Sequence, residues 1–235
     1  MMSVSIVTTV AEPIQWLADA YRSVLAQTFG PCEHVIYADG VVLPDWIHPC
    51  ENVVLCGSHI PVGRARALRA ACAKASGEFI GLLDADDILD GDCVERCVDA
   101  MRKNRFAPFC WTDCMDMSEG GDIVGVSDRC RAPYSNHVHP WREFTTFHFR
   151  LMRAESYHKA GGFDTSYPVA MDFELCLRLE EIGTPVHVEE PLYFYRKHAD
   201  QISAKRSVEQ SDMMRRALSE ARVRRQRRKM SHANL

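Results

Sequence analysis

The sequence carries no strong charge of either sign. Its 235 residues include 28 Lys and Arg against 32 Asp and Glu, a formal net charge of −4. A body so close to neutral lacks the electrostatic footprint of a nucleic-acid binder, and no nucleic-acid partner is expected. No apolar run reaches the roughly 18 residues of a membrane-spanning helix. No basic-then-apolar leader opens the chain either, so a cytoplasmic protein is expected. The ten cysteines contain no Cys-x-x-Cys pair, which removes the usual zinc-knuckle spacing. Cys72, Cys93, Cys97 and Cys176 fall inside apolar helix patterns, as buried, reduced thiols do. Two glycine motifs are also missing after the first predicted strand. Without G-x-G-x-x-G or G-x-x-x-x-G-K there is no ordinary dinucleotide site and no P-loop.

What is present is a run from Glu78 to Asp87, Glu-Phe-Ile-Gly-Leu-Leu-Asp-Ala-Asp-Asp. Phe79 to Leu83 has the composition of a strand buried on both faces. Its charges must then lie outside, so Asp84, Asp86 and Asp87 are expected at the strand's carboxyl end, where open α/β sheets place ligands. If the chain stays extended, Asp84 and Asp86 leave on one face with Cα atoms about 6–7 Å apart. Paired carboxylates with no adjacent Lys or Arg in sequence repel unless a cation lies between them, and a hard divalent ion carrying phosphate oxygens answers that need. The competing account is a polar loop in which Asp87 or Asp90 caps the next helix.

Strands and helices alternate around this run. Strands are predicted at Val4–Val10, His34–Ala38, Val53–Leu55 and Phe109–Thr112. A helix from Pro13 presents Ile14, Leu17, Ala18, Tyr21 and Leu25 on one face. A second, opened by Gly63, presents Ala67, Leu68, Ala71 and Ala75, and a third runs from about Asp92 to Asn104. The alternation predicts an α/β fold, a mixed, mainly parallel sheet flanked by helices. From Asp113 to Trp141 the periodicity dissolves into a long loop containing His137 and His139. A strand at Phe144–Met152, a short helix at Ala154–Ala160, a helix from Asp172 to Ile182, and strands at Val186–Val188 and Leu192–Tyr195 follow. From about Val208 the chain has helical propensity and ends in an Arg-rich segment.

These parts, in this order, resemble family 2 glycosyltransferases of the GT-A fold. The points of resemblance are Val4-Ser5-Ile6-Val7-Thr8-Thr9, Asp39-Gly40, Gly63, and Gly77 through Asp87. Further on come Gly161-Gly162-Phe163-Asp164, Asp172 to Leu179, and Tyr195-Arg196-Lys197-His198. The similarity runs from about Val4 to Ser203. It implies transfer of a sugar from a nucleotide-sugar donor, a UDP-sugar by preference, with inversion at the anomeric carbon.

In that reading Asp84-Ala85-Asp86 is the D-x-D motif. Asp84 touches the ribose, and Asp86 binds Mn²⁺ or Mg²⁺, a Lewis acid for the departing diphosphate. Thr8, Glu12 and Asp39 lie where the family holds base and ribose. His198 is a further metal ligand, and Arg196 pairs with phosphate. Asp172 is the general base that a single displacement requires, with Glu174 in reserve; the alternative for Asp172 is a helix cap. Two positions depart from the family pattern. Met171 stands where Glu often precedes the base, and Ala67-Leu68-Arg69 replaces Ala-Arg-Asn. The donor contact is therefore expected from a shifted arginine, Arg66, with Arg64 nearby.

The expected organisation is one GT-A domain over residues 1–203 and a helical basic tail over 204–235. A saccharide or lipid-linked saccharide is the expected acceptor, and peripheral contact with anionic lipid is the reading of the tail that suits it. The rivals are a nucleotidyltransferase and a catalytically inactive GT-A binding module.

Overall fold

Strand β1 (Val4–Val10) is buried along nearly its whole length, as its β-branched sequence favours, and has a parallel neighbour on each side. These are β2 (Glu33–Asp39) and β4 (Phe79–Leu82), and β3 (Val53–Ser58) extends β2 in the same direction. The computed structural model describes residues 3–12, 15–130, 148–201 and 205–233. All four residues of β4 are buried. Gly81 is required there, because a Cβ would lie 2.5 Å from Phe149 Cζ and 2.7 Å from Ile6 Cδ1. The four parallel strands end on one edge, and Asp39 and Asp84 stand on that edge.

Beyond β4 the sheet changes direction. Strand β8 (Arg150–Arg153) is antiparallel to β4 and to β6 (Phe109–Met117). β6 runs parallel to β9 (Val186–Arg196), which is antiparallel to the short β5 (Ile88–Leu89). With β7 (Ile123–Val126) folded back on β6, the order is β3-β2-β1-β4-β8-β6-β9-β5.

Helices cover both faces. On one face α2 (Arg64–Cys72), α5 (Met171–Glu180) and α6 (Ser207–Ala233) share a core that includes Leu68, Ala71, Leu175, Leu179, Ala217 and Ala221. On the other, α1 (Leu17–Leu25) and α3 (Cys93–Lys103) bury Ala20, Val24, Val94, Cys97, Val98 and Met101. The short α4 (Ala154–Lys159) follows β8.

Several boundaries differ from expectation. Helix α1 starts at Leu17, and Pro13 and Ile14 lie outside the described residues. The two strands predicted around Glu189–Pro191 are one strand. Pro191, which cannot donate to the ladder, sits at the register irregularity opposite Asp113. The long loop predicted from Asp113 is in part a hairpin. β6 continues to Met117 and turns through Ser118–Gly121 into β7, with Gly121 at φ +100°. His137, His139, Trp141 and Phe144 lie outside the described residues.

The Arg-rich segment packs on α5. Arg224 Nε donates to Glu181 Oε1 at 2.8 Å, Arg225 Nη2 to Glu180 Oε2 at 3.4 Å, and Arg228 Nη1 to the Glu181 carbonyl at 2.7 Å. Among the described residues no helix is long and apolar enough to cross a membrane.

Candidate active site

The acids after β4 do not continue the strand. The Asp87 N–H donates to the Asp84 carbonyl at 3.2 Å, so the chain turns, and one oxygen from each of Asp84, Asp86 and Asp87 falls within 4.8 Å of the others. The turn, rather than the extended alternation expected, brings the carboxylates together. Asp87 is its buried anchor: Tyr193 Oη donates to Oδ2 at 2.6 Å and the Arg196 N–H to Oδ1 at 2.8 Å. Burial, then the charges of Asp86 and Asp84, raise the Asp87 carboxyl well above the usual carboxylate range. Asp87 therefore does not cap α3, whose N-cap position is Asp92. Asp86 Oδ2 lies 2.8 Å from His198 Nε2, and that imidazole packs on Trp16 with ring centroids 4.6 Å apart.

A cavity of about 520 Å³ opens beside this turn. One part is walled by Thr9–Glu12, Asp39 and Arg64, and another by His148, Pro168–Met171 and Asp172. Asp39 lines it while holding the entrance of α2, accepting from the Val62 N–H at 2.6 Å and the Gly63 N–H at 3.0 Å. Gly63 takes φ +89° at that entrance, a conformation that favours glycine. The next residue, Arg64, then pairs with Asp84.

Three expectations need correction. Thr8 does not reach the cavity: it is fully buried in β1, with Oγ1 3.0 Å from His34 Nε2, and Thr9 is the threonine that lines the wall. Arg66 is exposed and outside the cavity lining, whereas Arg64 is in it. Helical phase explains this, because Arg64 precedes Ala67 and Leu68 by three and four residues and so shares their inward face. Arg196, expected to pair with phosphate, does not line the cavity either. Its guanidinium is buried beneath the acid turn, with Nε donating to the Asp86 carbonyl at 2.8 Å and Nη2 3.1 Å from Asp19 Oδ2. It fixes the turn from below.

Asp172 occupies the second position of α5. The cap position is Ala170, and no side-chain cap bond forms, so the helix-cap account fails. Arg150 Nη1 lies 3.0 Å from Asp172 Oδ2. Burial pushes the Asp172 carboxyl up, but Arg150, then His148 and Arg64, outweigh it and hold the carboxyl below its usual range. Glu174, the reserve candidate, is buried against Arg178, which donates to its oxygens at 2.7 and 2.5 Å. It does not line the cavity.

The donor set fits a hard divalent ion. Asp86, with the His198 imidazole 2.8 Å away, offers the donors that a hard divalent cation takes, while the neighbouring Asp84 is already paired with Arg64. Asp87 is less suited, since both of its oxygens already accept hydrogen bonds.

The sequence profile described as Glycosyl transferase family 2 matches residues 4–161. The chain belongs to that family. Among relatives of this family 2 member, hyaluronan synthase of Pasteurella multocida is 28% identical over 153 residues. The match covers 61% of this chain and 15% of that one. Chondroitin synthase of Escherichia coli is 28% identical over 144 residues, 61% of this chain and 21% of its own length. The chain thus spans only a small part of either synthase. The crystal structure of S. aureus TarS 1–349 in complex with UDP-GlcNAc superposes with a TM-score of 0.68 at 13% identity, over 85% of this chain and 60% of that one. That likeness is one of fold, the GT-A architecture expected.

Sequence reasoning missed a further part of the family 2 cavity. Ser207, Gln210, Ser211 and Met214 of α6 line it, spaced as one helix face. That i, i+3, i+4, i+7 spacing was the available signal, hidden because the basic residues further on dominate the segment.

Proposed function

We propose that this chain is an inverting, metal-dependent glycosyltransferase that moves a sugar from a nucleotide sugar, a UDP-sugar by preference, to an acceptor hydroxyl. One observation carries the reading: Asp84, Asp86 and Asp172 line a single cavity of about 520 Å³. That volume suits a nucleotide-sized ligand. Glu12 and Asp39 take the nucleoside, and Asp84 takes the ribose. Arg64 lies beside the acids, where it meets the diphosphate and offsets their charge. Asp86 and His198 hold Mn²⁺ or Mg²⁺. When bound, that ion supplies Lewis-acid stabilisation of the departing diphosphate.

Asp172 receives the acceptor hydroxyl's proton. Its low pKa keeps it ionised at neutral pH, and Arg150 fixes its direction. A weak base suffices, because the hydroxyl turns strongly acidic as its oxygen bonds to the electron-poor anomeric carbon. The reaction class is therefore a single displacement with inversion. A saccharide or lipid-linked saccharide is the acceptor class, in polysaccharide or glycoconjugate assembly at the cytoplasmic face of a membrane. Exposed Val223 and Met230 beside Arg222, Arg227 and Lys229 support peripheral lipid contact.

Calorimetric titration of UDP with and without Mn²⁺ tests the site. Binding that needs the ion in the wild type and loses that dependence in Asp86→Ala is expected; equal binding without the ion overturns the metal assignment. Product analysis separates transfer, which releases UDP, from nucleotidyl transfer, which releases pyrophosphate. An inactive binding module would release neither.

A further inference from the structure

Most of the ten cysteines are solitary or sealed in the core. Cys72, Cys93 and Cys110 are buried, and burial raises each thiol above its usual range. Cys50 is exposed and precedes β3, which stands five strands from β6 in the sheet order. On β6 Cys114, fully buried, faces the partly exposed Cys130 of the 3₁₀ turn Asp128–Cys130, with the two Sγ atoms 3.5 Å apart. Backbone contacts hold them together: the Cys114 N–H points at Cys130 Sγ at 3.0 Å, and the Ser127 N–H donates to the Cys114 carbonyl at 2.9 Å.

The two thiols are chemically unlike. Contact with the Cys114 thiol, in which either sulfur can donate, together with the Cys114 N–H, holds Cys130 below the usual thiol range against the effect of burial. That same contact, and then burial, push Cys114 up. The more accessible sulfur is thus the better thiolate, and its buried neighbour is placed to resolve a mixed disulfide. A covalent bond needs a sulfur separation of about 2.05 Å, so the pair must close by about 1.5 Å.

We propose that Cys130 and Cys114 are a redox-active thiol pair that low-molecular-weight disulfides of the glutathione type convert to an intramolecular disulfide. Cys130 thiolate attacks one sulfur of oxidised glutathione, forming a mixed disulfide and releasing one glutathione thiolate. Cys114 then attacks the Cys130 sulfur, its proton passing to the departing glutathione thiolate, which leaves as the second glutathione. Two protein thiols are oxidised, and one glutathione disulfide is reduced to two thiols. The new bond would staple the 3₁₀ turn to β6 beside the pairing of Cys114 with Tyr193, whose hydroxyl anchors Asp87. Redox state would then be felt one strand away from the acid turn.

The test is incubation of the full chain with oxidised glutathione, followed by alkylation, digestion and mass spectrometry without reduction. The expected result is a Cys114–Cys130 linked peptide, with Cys93, Cys97 and Cys110 alkylated only after denaturation. Cys114→Ser should instead retain one glutathione on Cys130. Oxidised wild type should melt at a higher temperature than reduced, a shift absent in Cys130→Ser, whose hydroxyl keeps an acceptor for the Cys114 N–H. A wild-type Cys130 that stays unmodified, or that stays glutathionylated without reaching Cys114, overturns the proposal.

Discussion

Arg150 Nη1 lies 3.0 Å from Asp172 Oδ2 and ties β8 to the first turn of α5. The guanidinium is only 2% exposed, so it is a fixed charge rather than a mobile surface group. If Asp172 is the base, Asp172→Asn should lower transfer by about 10²–10⁴-fold while leaving the dissociation constant of UDP nearly unchanged. Arg150→Met removes the main charge that holds the carboxyl down. The Asp172 pKa should then rise, and the acid limb of the kcat/KM profile should move to higher pH. A pH profile identical to wild type would remove Asp172 from the proton transfer.

Arg64 and Arg66 stand two residues apart on α2 but do different things. Arg64 pairs with Asp84 in the cavity, and Arg66 is exposed. Arg64→Ala should weaken UDP binding by about tenfold, the scale of one charge-assisted hydrogen bond. Arg66→Ala should bind UDP as wild type does. Titration of both variants under one set of conditions decides the assignment, and equal losses would contradict it.

How far the sequence could be read depends on whether a feature is periodic or made by a contact. Phe79 to Leu82 could be recognised as a buried strand because its apolar run has only one comfortable environment. The acids after it were legible for the same reason, since charge cannot stay in that layer. Arg196 was not, because nothing local says that its side chain runs under the acid turn to the Asp86 carbonyl. Arg150 was hidden in a strand-like run, where its only signal is a cation among apolar neighbours. Its partner Asp172 lies on a different element, and no pattern within either segment links them. Thr8 and Thr9 differ only by strand phase, and β1 is buried on both faces, so alternation gave no hint of which one lines the cavity.

Ala170 takes φ +55°, ψ +20°, a left-handed conformation, immediately before α5 and in the cavity wall. A non-glycine residue there costs about 1–2 kcal/mol. Ala170→Gly should relieve that strain and match or slightly exceed wild-type stability. Ala170→Val places a β-branched side chain at a strained backbone position that is 4% exposed, and should destabilise by about 2 kcal/mol or more. It should also lower turnover, because Asp172 is two residues away. Denaturant melts of the two variants check the sign, and a Val variant as stable as the Gly variant would refute the strain.

Glu180 is where pH should act on the docking of α6. Its side chain is 6% exposed, and burial pushes its carboxyl up to about 7, only partly offset by Arg225. In the unfolded chain the same group ionises near the ordinary value of about 4.3. Between those values the folded state keeps a proton that the unfolded state has released, so stability falls as pH rises through the window. The full effect is on the order of 3 kcal/mol. Glu180→Gln stays neutral in both states and should lose that dependence, its advantage over wild type growing from about 1 kcal/mol near pH 5 to the full effect by pH 8. Thermal melts of the pair from pH 5 to 8 measure the gap. A gap that does not widen with pH would mean that Arg225 compensates the Glu180 charge fully, and that the ion pair rather than the buried carboxyl governs how α6 sits on α5.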